Sequence, residues 1–284
     1  MQHKIGFSDS ITTYYLERPI GKIAYDDAGS GPLVICVPSM GDLRGEYRFL
    51  TPQIISAGYR VISMDVRGHG DTSITWPDYS IGGIGGDLVA LIHRLDAGPA
   101  VIIGTSMGAG AAVWAAAEAP ELVSGMVLIS PFVHDGGNRL LGLFLSLLFS
   151  GPWGLAMWLR YYSSLYPTRK PDDFSQYSAT LRANLKERGR MKALRHMIRA
   201  SKAASEEHLP RVTTPVLVIM GSKDRDFKNP ETEAKWVANS VHGEYKILKV
   251  AGHYPHAEMP EETGMLVLPF LRKIRKTKDG NNRA

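Results

Sequence analysis

Three short stretches of the chain hold residues able to attack a carbon or move a proton: "GTSMG" at 104–108, "GSKD" at 221–224 and "AGHYPH" at 251–256. Ser106 lies between glycines, after the β-branched run "VII" and before "AGAAVWAAA", at the point where a buried strand must turn into a helix. G-x-S-x-G in that setting is a sharp, strained turn that lifts a hydroxyl above a sheet, and the helix that follows aims its free amides and its dipole at the reacting centre. Serine at a helix start can also be a simple N-cap; the strand-turn-helix context favours the elbow. A hydroxyl is a weak nucleophile until a base takes its proton, and an acid must orient that base. Both follow downstream: Asp224 comes after the apolar run "PVLVIM" and His253 after "EYKILKV". Such a set suits acyl transfer through an acyl-serine.

These residues need a scaffold that ends several strands at one edge. "LVICV" (33–37), "RVISM" (60–64), "AVIIG" (100–104), "GMVLIS" (125–130), "PVLVIM" (215–220) and "EYKILKV" (244–250) are mostly short continuous apolar runs, as expected of strands buried on both faces. Stretches with helical spacing at 46–57, 84–95, 106–119, 231–241 and 261–275 lie between or after them. Strand alternating with helix predicts an α/β fold with a mainly parallel sheet covered on both sides. "TTYYLER" and "GKIAYDD" flank Pro19-Ile20 and read as an antiparallel edge hairpin. Sites in open α/β sheets form at the carboxyl ends of the strands, where Ser106, Asp224 and His253 are all expected.

About 80 residues separate the strand ending near Ser130 from the one starting at Pro215, too many for an ordinary crossover. This predicts a helical lid over 132–209, with the core formed by 1–131 and 210–284. Its stretch "LLGLFLSLLFSGPWGLAMWL" (140–159) has twenty residues without a charge, close to the length of a membrane span. Gly151-Pro152 interrupts it, which favours two short apolar helices lining a hydrophobic pocket over a membrane contact.

The order Ser, Asp, His resembles that of the α/β-hydrolase superfamily. "DVRGHGDTS" (65–73) is similar to the D-x-R-G-x-G-x-S loop after its fourth strand. The resemblance runs from about Tyr14 to Leu271, with the lid after the sixth strand. It implies an α/β-hydrolase fold with Ser106 as nucleophile, Asp224 as orienting acid and His253 as general base. Asp226, two residues further along the same loop, and Asp135, after the sixth strand, are rivals for the acid. His256 is a rival for the base, while His69 in "RGHG" fits a structural hydrogen-bonding role. The remaining histidines lack a motif.

An oxyanion needs two amide donors. Met107, after the nucleophile, is one. Family members carry His-Gly and then the second donor after the strand "LVICV"; here "PSMGD" (38–42) replaces His-Gly by Pro38-Ser39 and puts Met40 at the donor position. An ordinary turn is the other reading of that loop. A serine nucleophile argues against haloalkane dehalogenases and epoxide hydrolases, whose nucleophile is an aspartate.

The resemblance implies a lidded serine esterase acting on esters, thioesters or lactones of small to medium apolar substrates. C–C hydrolysis and cofactor-free haloperoxidase or perhydrolase chemistry use the same three residues. A slow-turnover ligand sensor and a membrane-surface lipase are the other classes. No cofactor and no metal are expected: no His or carboxylate cluster has ligand spacing, and "SIGGIGGDL" follows a turn, unlike a dinucleotide fingerprint. The formal charge of +5 over 284 residues comes partly from a basic tail, Arg272, Lys273, Arg275, Lys276, Lys278 and Arg283 against Asp279, so no nucleic-acid site is expected. Cys36 is the sole cysteine and "MQHKIGFSDS" lacks the apolar core of a signal peptide, which predicts a cytoplasmic protein.

Overall fold

The computed structural model describes residues 12–134 and 146–281. Among them, eight strands form one sheet in the order β1-β2-β4-β3-β5-β6-β7-β8. They are β1 (Thr12–Arg18), β2 (Gly21–Gly29), β3 (Leu33–Val37), β4 (Arg60–Met64), β5 (Ala100–Thr105), β6 (Val123–Ile129), β7 (Val216–Gly221) and β8 (Glu244–Leu248). The β1–β2 hairpin joins β4 antiparallel; all pairings from β4 to β8 are parallel. Register then fixes where chemistry can gather. Thr105 pairs with Ile129, Ile129 with Ile219, and Gly221 with Leu248, so the chain leaves β5, β6, β7 and β8 at one edge.

The apolar runs sort by the two-residue period of a strand. Leu33, Ile35, Val37, Ile102, Met126, Leu128, Val218 and Met220 face one side, against α2 (Ile81–Leu95), α3 (Met107–Glu118) and α8 (Pro230–Ser240). Val34, Cys36, Val101, Ile103, Val127, Leu217 and Ile219 face the other, against α1 (Leu50–Ser56) and α10 (Pro260–Asn281). Both faces are covered, which is why these strands show continuous hydrophobicity in the sequence.

Three boundaries depart from the spacing. The stretch 46–57 divides into a 3-10 turn (Arg44–Tyr47) and α1, because Glu46 is buried against Ser39 and Tyr47 against the carbonyls of Val37 and Ile103 instead of continuing a helix. Helix α2 starts at Ile81, three residues early, where the Ser80 hydroxyl caps the Gly83 amide. Helix α10 continues to Asn281, with Pro269 inside it.

Between β6 and β7 lie α4 (Gly154–Ser164), α5 (Phe174–Lys186), α6 (Arg190–Arg199) and α7 (Ala203–His208). Helices α4 to α6 build an aromatic-rich cluster with Leu43 and Tyr254 from the loops at the strand ends and Ala257 from the short helix α9 (Pro255–Glu258). Polar clamps fasten them to the sheet side. Arg48 grips Asp173 with Nε at 2.6 Å and Nη2 at 2.8 Å, Asn184 Nδ2 donates to Gly70 O (3.0 Å), and Arg190 Nη1 donates to Thr72 O (2.7 Å). Helix α7 instead packs on α3, with Ser205 beside Gly110. Residues 140–145 of the uncharged stretch fall outside the described residues. Gly151 and Pro152 precede α4, and no helix among the described residues is long and apolar enough to cross a membrane.

One close approach fixes α3 against the sheet. A Cβ at Gly108 would fall onto the carbonyl oxygen of Val37 and within 2.6 Å of that of Pro38. Gly86, in the middle of α2, has open space where its Cβ would be. We therefore expect Gly108→Ala to lower stability by about 1–3 kcal/mol through overpacking. Gly86→Ala should raise it by about 0.5–1 kcal/mol through helix entropy. Thermal unfolding of the two variants should move in opposite directions.

Candidate active site

Ser106 adopts φ 53°, ψ −117° between β5 and α3, a region that a side chain enters only when its surroundings impose it. The imposition is visible in the hydrogen bonds. The Ser106 amide donates to Ile129 O at 2.9 Å, and its carbonyl accepts from Ala109 (3.1 Å), Gly110 (3.3 Å) and Phe132 (3.2 Å). Strand β6 thus clamps the elbow from beside, and Met107, the first residue of α3, belongs to the turn whose amides lack intrahelical partners.

His253 lies past β8 and Asp224 past β7. The imidazole Nδ1 and the Asp224 carboxylate are 2.8 Å apart, both buried. The two loops are held in contact by a small residue: a Cβ at Gly221 would collide with the carbonyl oxygens of Gly252 and Ala251. A Cβ at Gly252 would collide with the Leu165 carbonyl, and the His253 amide donates to that carbonyl at 3.1 Å. Asp226 is also near: its carboxylate is 3.6 Å from Nδ1, its amide donates to Asp224 Oδ1 at 3.1 Å, and it accepts from the Tyr161 hydroxyl at 2.6 and 2.8 Å. Asp224 is therefore the carboxylate in hydrogen-bonding contact with the imidazole, and Asp226 is engaged with α4. Asp135 lies outside the described residues.

Burial disfavours the charged imidazole, but attraction to Asp224 and Asp226, the hydrogen bond to Asp224 and the more distant Glu46 outweigh it and raise His253 to about 9. Burial likewise opposes ionised Asp224, yet the imidazolium, its hydrogen bond and the Asp226 amide hold that carboxyl below its ordinary value. Phe227 stacks along the His253 ring at 6.5 Å and Tyr254 meets it edge-on at 5.1 Å. The ligand-type atoms of Asp224, Asp226 and His253 lie within 4.8 Å of one another, the grouping among the described residues where a cation could be held. They are already engaged with one another and with Tyr161.

The "PSMGD" loop rests on a buried acid that local motifs do not signal. Glu46 Oε2 accepts from both the Ser39 amide (2.8 Å) and the Ser39 hydroxyl (2.8 Å), and that hydroxyl also bonds Tyr254 OH at 2.8 Å. Ser39 thus ties the Met40 loop to Glu46 and to the residue after His253. On the other side, Trp158 of α4 lies against Gly41, and Tyr177 of α5 donates to Asp42 at 2.6 Å. Burial, reinforced by neighbouring Glu46, raises the Asp42 carboxyl to about 7 despite the Tyr177 bond. Met40 is partly buried and Met107 buried; the Gly108 contact with Val37 and Pro38 sets the first turn of α3 against the start of that loop.

His256 is fully buried, 3.0 Å from Glu46 Oε1 and stacked on Tyr47 at 4.9 Å. It faces Glu46, which supports the loop, instead of Asp224. His69 bonds the Arg67 carbonyl through Nδ1 at 3.1 Å; burial holds it down at about 4, so it is neutral and structural. "SIGGIGGDL" opens α2 behind the Ser80 cap.

The sequence model of the alpha/beta hydrolase family matches residues 34–264. The chain belongs to the alpha/beta hydrolase family. Among its relatives in this family, a Mycobacterium tuberculosis protein provisionally named the non-heme bromoperoxidase BpoC is 28% identical over 282 residues, covering 89% of this chain and 98% of that one. The Homo sapiens monoglyceride lipase is 27% identical over 250 residues, covering 81% and 78%. Of solved alpha/beta hydrolase structures, the Exiguobacterium antarcticum esterase superposes with a TM-score of 0.81 at 17% identity over 92% of this chain and all of that one. The last is a likeness of fold.

The raised value of His253 has a signed consequence for stability. The free imidazole titrates near 6.5, so the ion pair contributes fully below that pH and its contribution is lost as pH rises through about 9. For Asp224, held low, the contribution is present above the ordinary carboxylate range and is lost as pH falls through the depressed value. Urea unfolding of the wild type should show stability declining from pH 6.5 to 9.5. His253→Gln should flatten that alkaline decline.

Proposed function

We propose that this hydrolase-family protein is a carboxylesterase-like serine hydrolase acting on carboxylic esters, thioesters or lactones of small to medium apolar substrates. The observation that carries the reading is the strained Ser106 turn at the sheet edge that also carries the His253–Asp224 ion pair. In this mechanism the Ser106 oxygen attacks the substrate carbonyl and its proton passes to His253 Nε2. Asp224, on Nδ1, stabilises the imidazolium. The amides of Met40 and Met107 hold the oxyanion. The imidazolium then gives its proton to the leaving group, and water, deprotonated by the same imidazole, releases the acid from the acyl-serine.

Helices α4 to α6 serve as a cap in this reading, and the segment 132–209 as the lid of a core formed by 1–131 and 210–284. Phe132 and Phe227, with rings 6.0 Å apart, give the site apolar walls, which supports an apolar acyl or alcohol portion. Ser106 is only 6% exposed, which supports a small or medium substrate over a long-chain lipid. A cytoplasmic location belongs to the same reading and rests on the single cysteine, Cys36.

A second reading draws on the relative named as a bromoperoxidase. An acyl-serine attacked by hydrogen peroxide instead of water yields a peracid, which oxidises bromide. The same Ser106, His253 and Asp224 would carry it, with no metal or cofactor. Bromide oxidation that requires both peroxide and a carboxylic acid would favour this branch.

A fluorophosphonate probe should label the wild type at Ser106 and leave Ser106→Ala unlabelled. That variant should lose about 10⁴–10⁶ of kcat/KM on p-nitrophenyl esters. A folded wild-type protein that takes no label refutes the reading.

Only neutral His253 can accept the serine proton, and its value is about 9. The kcat/KM profile on a neutral ester should therefore climb tenfold per pH unit below pH 9 and level off above it. A plateau already complete at pH 7 contradicts so high a value for the imidazole, and an unchanged kcat/KM in His253→Gln contradicts the assignment of His253 as base.

A further inference from the structure

Asp226 is not used by the mechanism above, yet it is placed with care. Its carboxylate stands 3.6 Å from His253 Nδ1, too far to replace Asp224 as hydrogen-bond partner and close enough for strong attraction to an imidazolium in a buried site. Its backbone amide supports Asp224 Oδ1 (3.1 Å), and Tyr161 of α4 donates to the carboxylate at 2.6 and 2.8 Å. Burial first, and the Asp226 charge second, raise the Tyr161 phenol well above its ordinary value, so it remains a donor throughout the working range. Trp158, one helical turn before Tyr161 with rings 5.4 Å apart, lies against Gly41 of the Met40 loop. Helix α4 therefore touches both halves of the site.

We propose that Asp226 and Tyr161 are a positioning pair for His253: the phenol of α4 holds a second carboxylate beside Nδ1, so the seating of that helix sets how tightly the imidazole keeps its proton. The groups facing His253 are Asp224 and Asp226 from the loop after β7, Glu46 from the 3-10 turn and Tyr254 from its own loop; Tyr161 acts through Asp226, and Arg225 lies near Tyr161. With Asp226 removed, one of the two nearest anions is gone and the imidazole releases its proton at lower pH. With the phenol removed, the carboxylate loses the donor that disperses its charge and restrains its approach, and the imidazole holds its proton to higher pH. The pairing bears on catalysis only if His253 is the general base proposed above, so its test avoids turnover.

The His253 Hε1 resonance of the full-length protein, assigned with His253→Gln, is titrated by NMR in the wild type, Asp226→Asn, Tyr161→Phe and the double variant. Asparagine keeps the size of Asp226 and an oxygen for Tyr161, and circular dichroism verifies that each variant is folded. The midpoint should drop by about one pH unit in Asp226→Asn and rise by about 0.3–0.5 in Tyr161→Phe. The double variant should match Asp226→Asn alone, because Tyr161 acts through the carboxylate. An unmoved midpoint in either single variant overturns the proposal, as does a Tyr161→Phe shift that is equally large in the Asp226→Asn background. If the midpoints move as expected while Ser106 takes no fluorophosphonate label, the pairing stands and the serine-hydrolase reading fails. If Ser106 is labelled and the midpoints do not move, the reverse holds.

Discussion

The backbone of Ser106 sits where an L-residue resists staying, and everything else at the strand ends depends on its being held there. The cost of such a conformation is about 1–3 kcal/mol, and it persists because β6 offers a carbonyl to the Ser106 amide while Ala109, Gly110 and Phe132 close on its carbonyl. Gly108 then allows the carbonyls of Val37 and Pro38 to press against the first turn of α3. A single crowded junction of β3, β5, β6 and α3 thus fixes the hydroxyl and the Met40 loop together. Parallel register brings the loops of β7 and β8 to the same edge.

Charge at this edge is layered. Asp224 touches the imidazole, Asp226 stands behind it, and Glu46 lies deeper, bound to Ser39 and beside His256. Buried carboxylates are unfavourable unless hydrogen bonds or cations meet them, and each of these has at least one such partner. The Tyr254 hydroxyl links the layers: it bonds Ser39, while its ring meets His253 edge-on. A loop that departs from the His-Gly pattern of its family is in this way fastened by an acid from the following 3-10 turn.

Much of the fold is legible in the sequence because strands covered on both faces must be apolar throughout. "LVICV" and "PVLVIM" have no exposed side to blur the signal, and the hairpin of β1 and β2 shows itself through Pro19 and alternation. Ser106 is legible because its tight turn calls for glycine two residues away on either side. The choice between Asp224 and Asp226 is not, since they are two residues apart on one loop and differ by 2.8 against 3.6 Å to the same nitrogen. Glu46, Tyr161 and Trp158 leave no local trace either: Tyr161 meets Asp226 across 65 residues of chain, and Ser39 meets Tyr254 across 215. The end of the helical reading at 46–57 has the same origin, tertiary burial of Glu46 and Tyr47 overriding a local preference.

The bond from the His253 amide to the Leu165 carbonyl ties the segment after α4 to the backbone that carries the imidazole. Pulling α4 outward at this corner would break that bond and disturb the backbone of His253; in the reaction proposed above, admission of a molecule here would then oppose readiness of the ring. On that reading a substrate would enter by a different side, with the corner at Leu165 staying shut.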